Sequence, residues 1–202
     1  MPRITSSRKP GWTLGRRVAG LVTAVVLAVV LWHQDHPLVL DAAASSHDYA
    51  FQLSGKVVQV ADGDTFTLLV GQRRERIRMA SIDAPEITKD KQRPGQHMAQ
   101  ASRKALADLI AGKQLVLHCY ERDHYDRSIC DVPLSDGSTA NQHQVSQGMA
   151  WANMEGRGRF MRDPLLPSLQ EQARKAHKGL WNQAGQVPPW EWRYQCWKQA
   201  QC

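Results

Sequence analysis

No cysteine occurs before position 119, no acid occurs in the first 17 residues, and no internal repeat is visible in the 202-residue chain. The missing repeat sets aside a solenoid or an array. The acid-free start holds Arg3, Arg8, Lys9, Arg16 and Arg17, and the uncharged apolar run "VAGLVTAVVLAVVLW" follows at 18–32. Together they form the basic and apolar regions of an export signal. As a helix, this run spans roughly 22 Å, short of the ~30 Å hydrocarbon core of a bilayer. Snorkelling side chains and local thinning can close that gap. "DAAASS" at 41–46 offers a cleavage point after Ala44, far from the apolar run. An uncleaved anchor, a transmembrane helix, is therefore preferred over a cleaved signal peptide. In either case the basic end stays inside and the rest reaches the periplasmic or extracellular side. The twin arginine in "GRRV" lacks the surrounding signature of its own export route.

Histidines 97, 118, 124, 143 and 177 show no metal-ligand spacing and read as ordinary surface or core residues. The four cysteines, Cys119, Cys130, Cys196 and Cys202, all follow the signal. In an oxidising compartment an even set implies two disulfides. Three pairings are open, and the local one, Cys119–Cys130 with Cys196–Cys202, is preferred. A zinc site using Cys119, His118 or His124, and Cys130 matches no usual ligand pattern.

Acidic excess is lacking too. The formal net charge is +7, and from Ser45 onward 21 lysines and arginines face 17 acids. A mildly basic exported part suits a polyanion such as nucleic acid.

The chain divides into the signal or anchor at 1–32, a polar linker at 33–50, a domain at 51–183 and a tail at 184–202. Strands are expected at 55–60, 65–70 and 74–82, where β-branched or alternating residues are separated by glycine-bearing turns. In the third, Ile77 and Met79 alternate with Arg76 and Arg78. A helix is expected over 97–112, with apolar residues at helical spacing and Gly112 as the stop. Two more strands follow at 113–120 and 128–134, joined by the charged "ERDHYDR". A short, polar helix is expected at 139–148. The last helix, 163–179, carries an Asp163 cap and proline in its first turn, and ends in Lys, His and Gly. The order is βββ-α-ββ-α-α.

"VADGDTFTLL" (60–69) sets Asp62 and Asp64 about Gly63. "RMASIDAPE" (78–86) and "RDHYDR" (122–127) follow downstream. The charged set is therefore Asp64, Arg78, Asp83, Glu86 and Arg127. Two carboxylates can hold a hard divalent cation. Two arginines can clamp phosphate oxygens in bidentate fashion, and a third carboxylate can orient or deprotonate water. These groups suit phosphodiester hydrolysis. Asp62 reads as the turn-former of its pair, bonding backbone. For Arg127 the competing reading is an ion pair with Asp123 or Asp126.

In order, "DGDT", "R-x4-D-x-P-E", "D-x-Y-x-R", "A-N", "QGMAW" and "GLW" resemble the staphylococcal nuclease, or thermonuclease, family over about Ser54 to Trp192. The tail "PPWEWR" resembles that of exported bacterial members. The resemblance implies an α+β OB-fold, a five-stranded Greek-key barrel with three α-helices. It also implies a calcium-dependent nuclease acting on DNA and/or RNA. By motif position Asp64, Asp83 and the carbonyl of Ala84 match the Ca2+ ligands. Glu86 matches the base or water orienter, Arg78 and Arg127 the phosphate-binding arginines, and Tyr125 the tyrosine near the terminal phosphate. The chain departs from the pattern after "QGMAWA". "NMEGRGRF" places Asn153, Met154 and Gly156 where base-stacking aromatics are expected, and Arg157 and Arg159 are candidate phosphate contacts instead. Gln142, His143 and Gln144 replace more apolar residues, so looser packing is expected there. Trp181, Trp190, Trp192 and Trp197 are expected to pin the tail rather than stack bases. A monomer is expected, membrane-bound if the anchor is retained. The alternatives are a non-catalytic OB module that binds nucleic acid or a protein partner, and an envelope structural protein.

Overall fold

The computed structural model describes residues 48–202. Among those residues no helix is long and apolar enough to cross a membrane. The apolar run 18–32 and the cleavage point after Ala44 lie outside them.

Five strands close a barrel in the order β1 (Phe51–Val60), β2 (Thr65–Val70), β3 (Arg73–Met79), β6 (Ser128–Asp131), β5 (Gln114–Arg122). All neighbours are antiparallel except β3 and β6, which run parallel. This is an OB-fold barrel. Alternation drives it. In β1 Leu53 and Val57 point inward, and a bulge between Val57 and Gln59 then shifts the phase so that Val60, not Gln59, is buried. One extra residue in a strand does this, because side chains alternate with a period of two. The core gathers Phe66, Leu68, Ile77, Met79, Leu106 and Leu117.

The run expected as one strand over 74–82 is broken. β3 stops at Met79, Ser81 takes a left-handed φ of 65°, and a separate β4 (Ile82–Asp83) pairs with β7 (Trp151–Ala152). A non-glycine residue in that region is uncommon and needs local support. Ser81 has it. Its Oγ accepts from the Arg162 N–H at 2.7 Å and its carbonyl accepts from the Asn153 N–H at 2.8 Å.

Helix α1 (Ala99–Ile110) buries Ala99, Ser102, Leu106 and Ile110. It starts two residues later than expected, because Met98 has a φ of 68°. Ser102 sits against the first acidic turn, where a Cβ on Gly63 would lie 1.8 Å from its Oγ and 2.8 Å from the Ala84 Cβ. Gly63 is thus a close-approach glycine. Helix α2 (Ala140–Ser146) opens with a capping box between Thr139 and Gln142. The looser packing expected there is corrected. Gln144 is fully buried and donates to the carbonyls of Gly63 at 2.8 Å and Ser102 at 3.2 Å. Asn141 donates to the Ala80 carbonyl at 2.9 Å and accepts from the Val132 N–H at 3.1 Å. The polar residues of α2 tie the acidic turn, α1 and the β3/β6 ends together, which an apolar helix could not do.

Helix α3 (Leu166–Lys175) begins three residues after the expected Asp163 cap, with Leu165 at the cap position. Asp163 instead accepts from the Leu165 N–H at 2.9 Å and from Gln142 Nε2 at 2.8 Å. The glycines of "QGMAW" and "KGL" meet back to back. A Cβ on Gly148 would lie 2.2 Å from the Lys178 carbonyl oxygen, and Gly148 has a φ of 66°.

Cys119 and Cys130 face each other across β5 and β6 and are joined, with Cα atoms 4.0 Å apart. Cys196 is joined to Cys202 in the tail. Among the described cysteines none is free. Two disulfides suit an oxidising environment.

Candidate active site

Above the β3/β6 edge lies an open cleft of about 900 Å³. Its floor is built by the first acidic turn, the end of β3 and β4. Asp62 Oδ1 accepts from the Asp64 N–H at 3.1 Å, so Asp62 makes the turn and leaves the Asp64 carboxylate to point inward. Asp64 Oδ1 accepts from Thr65 Oγ1 at 2.9 Å, and Oδ2 accepts from the Ala84 N–H at 2.6 Å. The turn at Ser81 swings β4 so that Asp83 approaches the same point. Arg78 binds both acids. Its Nη1 lies 2.9 Å from Asp64 Oδ2 and its Nη2 lies 2.7 Å from Asp83 Oδ1. Nη1 also donates to the Ile82 carbonyl at 2.9 Å.

These acids are far from water. Asp64 is 4% exposed and Asp83 is 2% exposed. Burial pushes the Asp64 carboxyl up to about 6, against the pull of Arg78. Burial also raises Asp83, against Arg78 and Arg193, and raises Glu86, against Arg193. Burial alone would lower Arg78, but Asp64 and Asp83 outweigh it and hold the guanidinium charged.

Glu86 follows Pro85 on a loop whose backbone is clasped by Gln96. The Glu86 N–H donates to Gln96 Oε1 at 3.0 Å and the Glu86 carbonyl accepts from the Gln96 N–H at 2.8 Å. The rim on the other side is the β5–β6 connection. There Asp123 Oδ1 accepts from the backbone N–H groups of Tyr125 and Arg127, each at 2.9 Å. Asp123 Oδ2 takes Arg127 Nε at 2.7 Å and Nη2 at 2.6 Å. Arg127 thus makes the ion pair that was its competing reading, while still facing the cleft with Tyr125. Arg157 and Arg159 do not line the cleft; Arg159 lies over the Phe160 ring at 4.5 Å.

Among the cleft residues that the sequence left without a role, two make contacts that shape the site. Arg162 follows "GRGRF" and bridges to Ser81 and Glu121. Arg193 comes from the tail. It donates to Asp83 Oδ2 at 2.9 Å and to Glu86 Oε1 at 2.7 Å. Only its place in "PPWEWR" marked it. Two of the four tryptophans expected to pin the tail do so. Trp192 and Trp197 both donate from Nε1 to the Pro94 carbonyl, at 3.0 and 2.8 Å.

The donor set fits a hard divalent cation. Asp64, Asp83, Glu86 and the Ala84 carbonyl offer oxygen only, and three acids face two guanidiniums, Arg78 and Arg193. Among the described residues no group of three or more His, Cys, Asp and Glu forms a ready cage. Calcium does not require one, since backbone carbonyls and water supply many of its ligands.

A closed OB barrel carrying a cleft of carboxylates and guanidiniums presents groups suited to a phosphodiester and a divalent ion. Residues 76–183 match the model of the staphylococcal nuclease homologue family. An uncharacterized endonuclease of Escherichia coli O157:H7 is 38% identical over 142 residues, covering 70% of this chain and 86% of that protein. A micrococcal nuclease of Shigella flexneri is 35% identical over 150 residues, covering 69% and 79%. An uncharacterized endonuclease of Haemophilus influenzae is 35% identical over 141 residues, covering 69% and 72%. The chain belongs to the staphylococcal nuclease family.

Proposed function

We propose that this protein is an exported, calcium-dependent nuclease that hydrolyses the phosphodiester bonds of DNA, RNA or both. The observation that carries this reading is the Arg78 fork, which holds Asp64 and Asp83 together at the floor of a cleft that also takes in Glu86 and Arg127. Asp64, Asp83 and the Ala84 carbonyl would hold the ion, which supplies charge stabilisation at the phosphate.

The chain's own groups do the rest. Arg78, fixed by two carboxylates and two carbonyls, offers a preorganised cation to the phosphate oxygens. Arg127 turns from Asp123 toward the substrate, with Tyr125 beside it at the mouth. Glu86 orients a water molecule and takes its proton as the water oxygen bonds to phosphorus. The ester P–O bond opposite then breaks, and the leaving oxygen gains a proton from solvent. With Arg157 and Arg159 off the cleft, Arg76, Lys89, Arg93, Arg122 and Arg162 are the further cations available along its walls.

Digestion of single-stranded DNA, duplex DNA and RNA by the full-length chain, with calcium and with a chelator, tests this. Calcium-dependent cleavage is expected. Its absence from well-folded protein on all three substrates leaves a non-catalytic OB binding module.

A further inference from the structure

Arg193 lies ten residues beyond the family match, yet it lines the cleft and its guanidinium reaches both Asp83 and Glu86. Resting on the metal-dependent reading above, we propose that Arg193 is a tethered counter-cation that competes with the divalent ion for Asp83 while paired to Glu86, so that the C-terminal tail sets the metal affinity of the site.

The two arginines on Asp83 are held differently. Arg78 is 14% exposed and also donates to the carbonyls of Ile82 and Met79. Leaving its place would orphan buried backbone oxygens, which is costly. Arg193 is 34% exposed, and its side chain bonds only the two carboxylates. It can withdraw toward solvent without stranding any other group. A divalent ion and the Arg193 guanidinium both need the Asp83 carboxylate, and the bond to Glu86 Oε1 holds the guanidinium there, so one occupant weakens the other. With neither, Asp83 would keep only Arg78, and Glu86 only Lys89 at 3.9 Å, against three acids, which gives the tail cation a purpose before metal arrives.

The tether is firm. Beyond the two indole bonds to Pro94, Gln96 Nε2 donates to the Val187 carbonyl at 2.7 Å. Cys196 is buried and tied to Cys202. Holding a cation on a short tether gives it a high effective concentration at its partners. The tail also grips the Pro94–Gln96 segment that clasps Glu86, so one element carries the competitor and steadies the base.

Calcium titration calorimetry on full-length wild type, Arg193→Gln, Arg193→Lys and Asp64→Asn tests the proposal, with thermal melts in chelator and in excess calcium. Arg193→Gln should bind calcium roughly tenfold more tightly, the gain expected if Arg193 holds the carboxylates about nine-tenths of the time. Its Tm should fall below wild type in chelator, and the gap should close in excess calcium. Arg193→Lys should lie between, keeping charge but losing the fork. A merely structural arginine would weaken ion binding and lower Tm under both conditions. Equal or weaker calcium binding by Arg193→Gln, with wild type binding and Asp64→Asn not, overturns the competition and leaves the metal site standing. Binding by Arg193→Gln with none by wild type supports it. Binding by neither overturns both this inference and the metal reading.

Discussion

The floor and the rim of the cleft are held by opposite means. On the floor, Asp64, Arg78 and Asp83 are buried and interlocked across three pieces of chain, β2's approach, β3 and β4. On the rim, Tyr125 is 60% exposed, and Arg127 is held by one residue four positions away in its own loop. A buried charge that loses its partner is costly; the floor charges are shared across distant segments, whereas the part-buried Arg127–Asp123 pair is confined to one loop. The floor is therefore rigid and paired before any ligand arrives, and the rim can rearrange toward one.

That contrast is sharpest at Asp64. Asp64→Ala should lose divalent-ion binding and reduce cleavage by ~1,000-fold, the upper end for loss of one preorganised group. Calorimetry and single-turnover kinetics measure both. Unchanged calcium binding would remove Asp64 from the metal site.

Arg127→Lys tests the rim. It keeps the charge and loses the fork, so kcat should fall by roughly 100-fold. The Tm should move little, because the Asp123 contact is local to one loop. A large fall in Tm with kcat unchanged would make Arg127 a structural residue and erase the distinction between rim and floor.

The floor also has a signature in pH. Folded Asp64 holds its proton up to about pH 6, against 3.8 for the free side chain. Between those values the native state carries the extra proton, so this group's contribution to stability is present at low pH and falls as pH rises through the folded value. Asp83 and Glu86 shift in the same direction. Asp64→Asn should flatten the decline in Tm from pH 4 to 7, measured in chelator. An identical pH profile in wild type and variant would place the buried charge elsewhere.

The smallest effect belongs to residues outside both regions. Arg157→Ala with Arg159→Ala should change kcat/KM by less than about twofold at moderate salt, because surface charges away from the cleft are screened. A tenfold loss would extend the substrate path over the Glu155–Gly158 turn.

Period-two alternation was enough to place β2 at Thr65–Val70, since packing one face of a pleated strand requires it. Motif spacing placed the five charged residues of the site on one page of sequence, and turn chemistry separated Asp62 from Asp64. The pairing of Cys119 with Cys130 was legible because both flank one short connection between adjacent strands.

Other features depended on contacts between distant positions. The left-handed turn at Ser81 is held by Asn153 and Arg162, some 70 to 80 residues away in the chain, so local alternation ran straight through it. Gln144 reads as a polar misfit until Gly63 and Ser102 are brought to it. Arg193 is 110 positions from Asp83, and no local pattern tells a tail arginine on the surface from one in the cleft. Sequence alone determined the alternating strands, the turn residues and the types of group available for chemistry, because backbone sterics and side-chain periodicity act over a few residues. Tertiary structure decided which carboxylates share a cation, which arginine is locked and which can leave, because burial and charge pairing are set by whichever distant segments the barrel brings together.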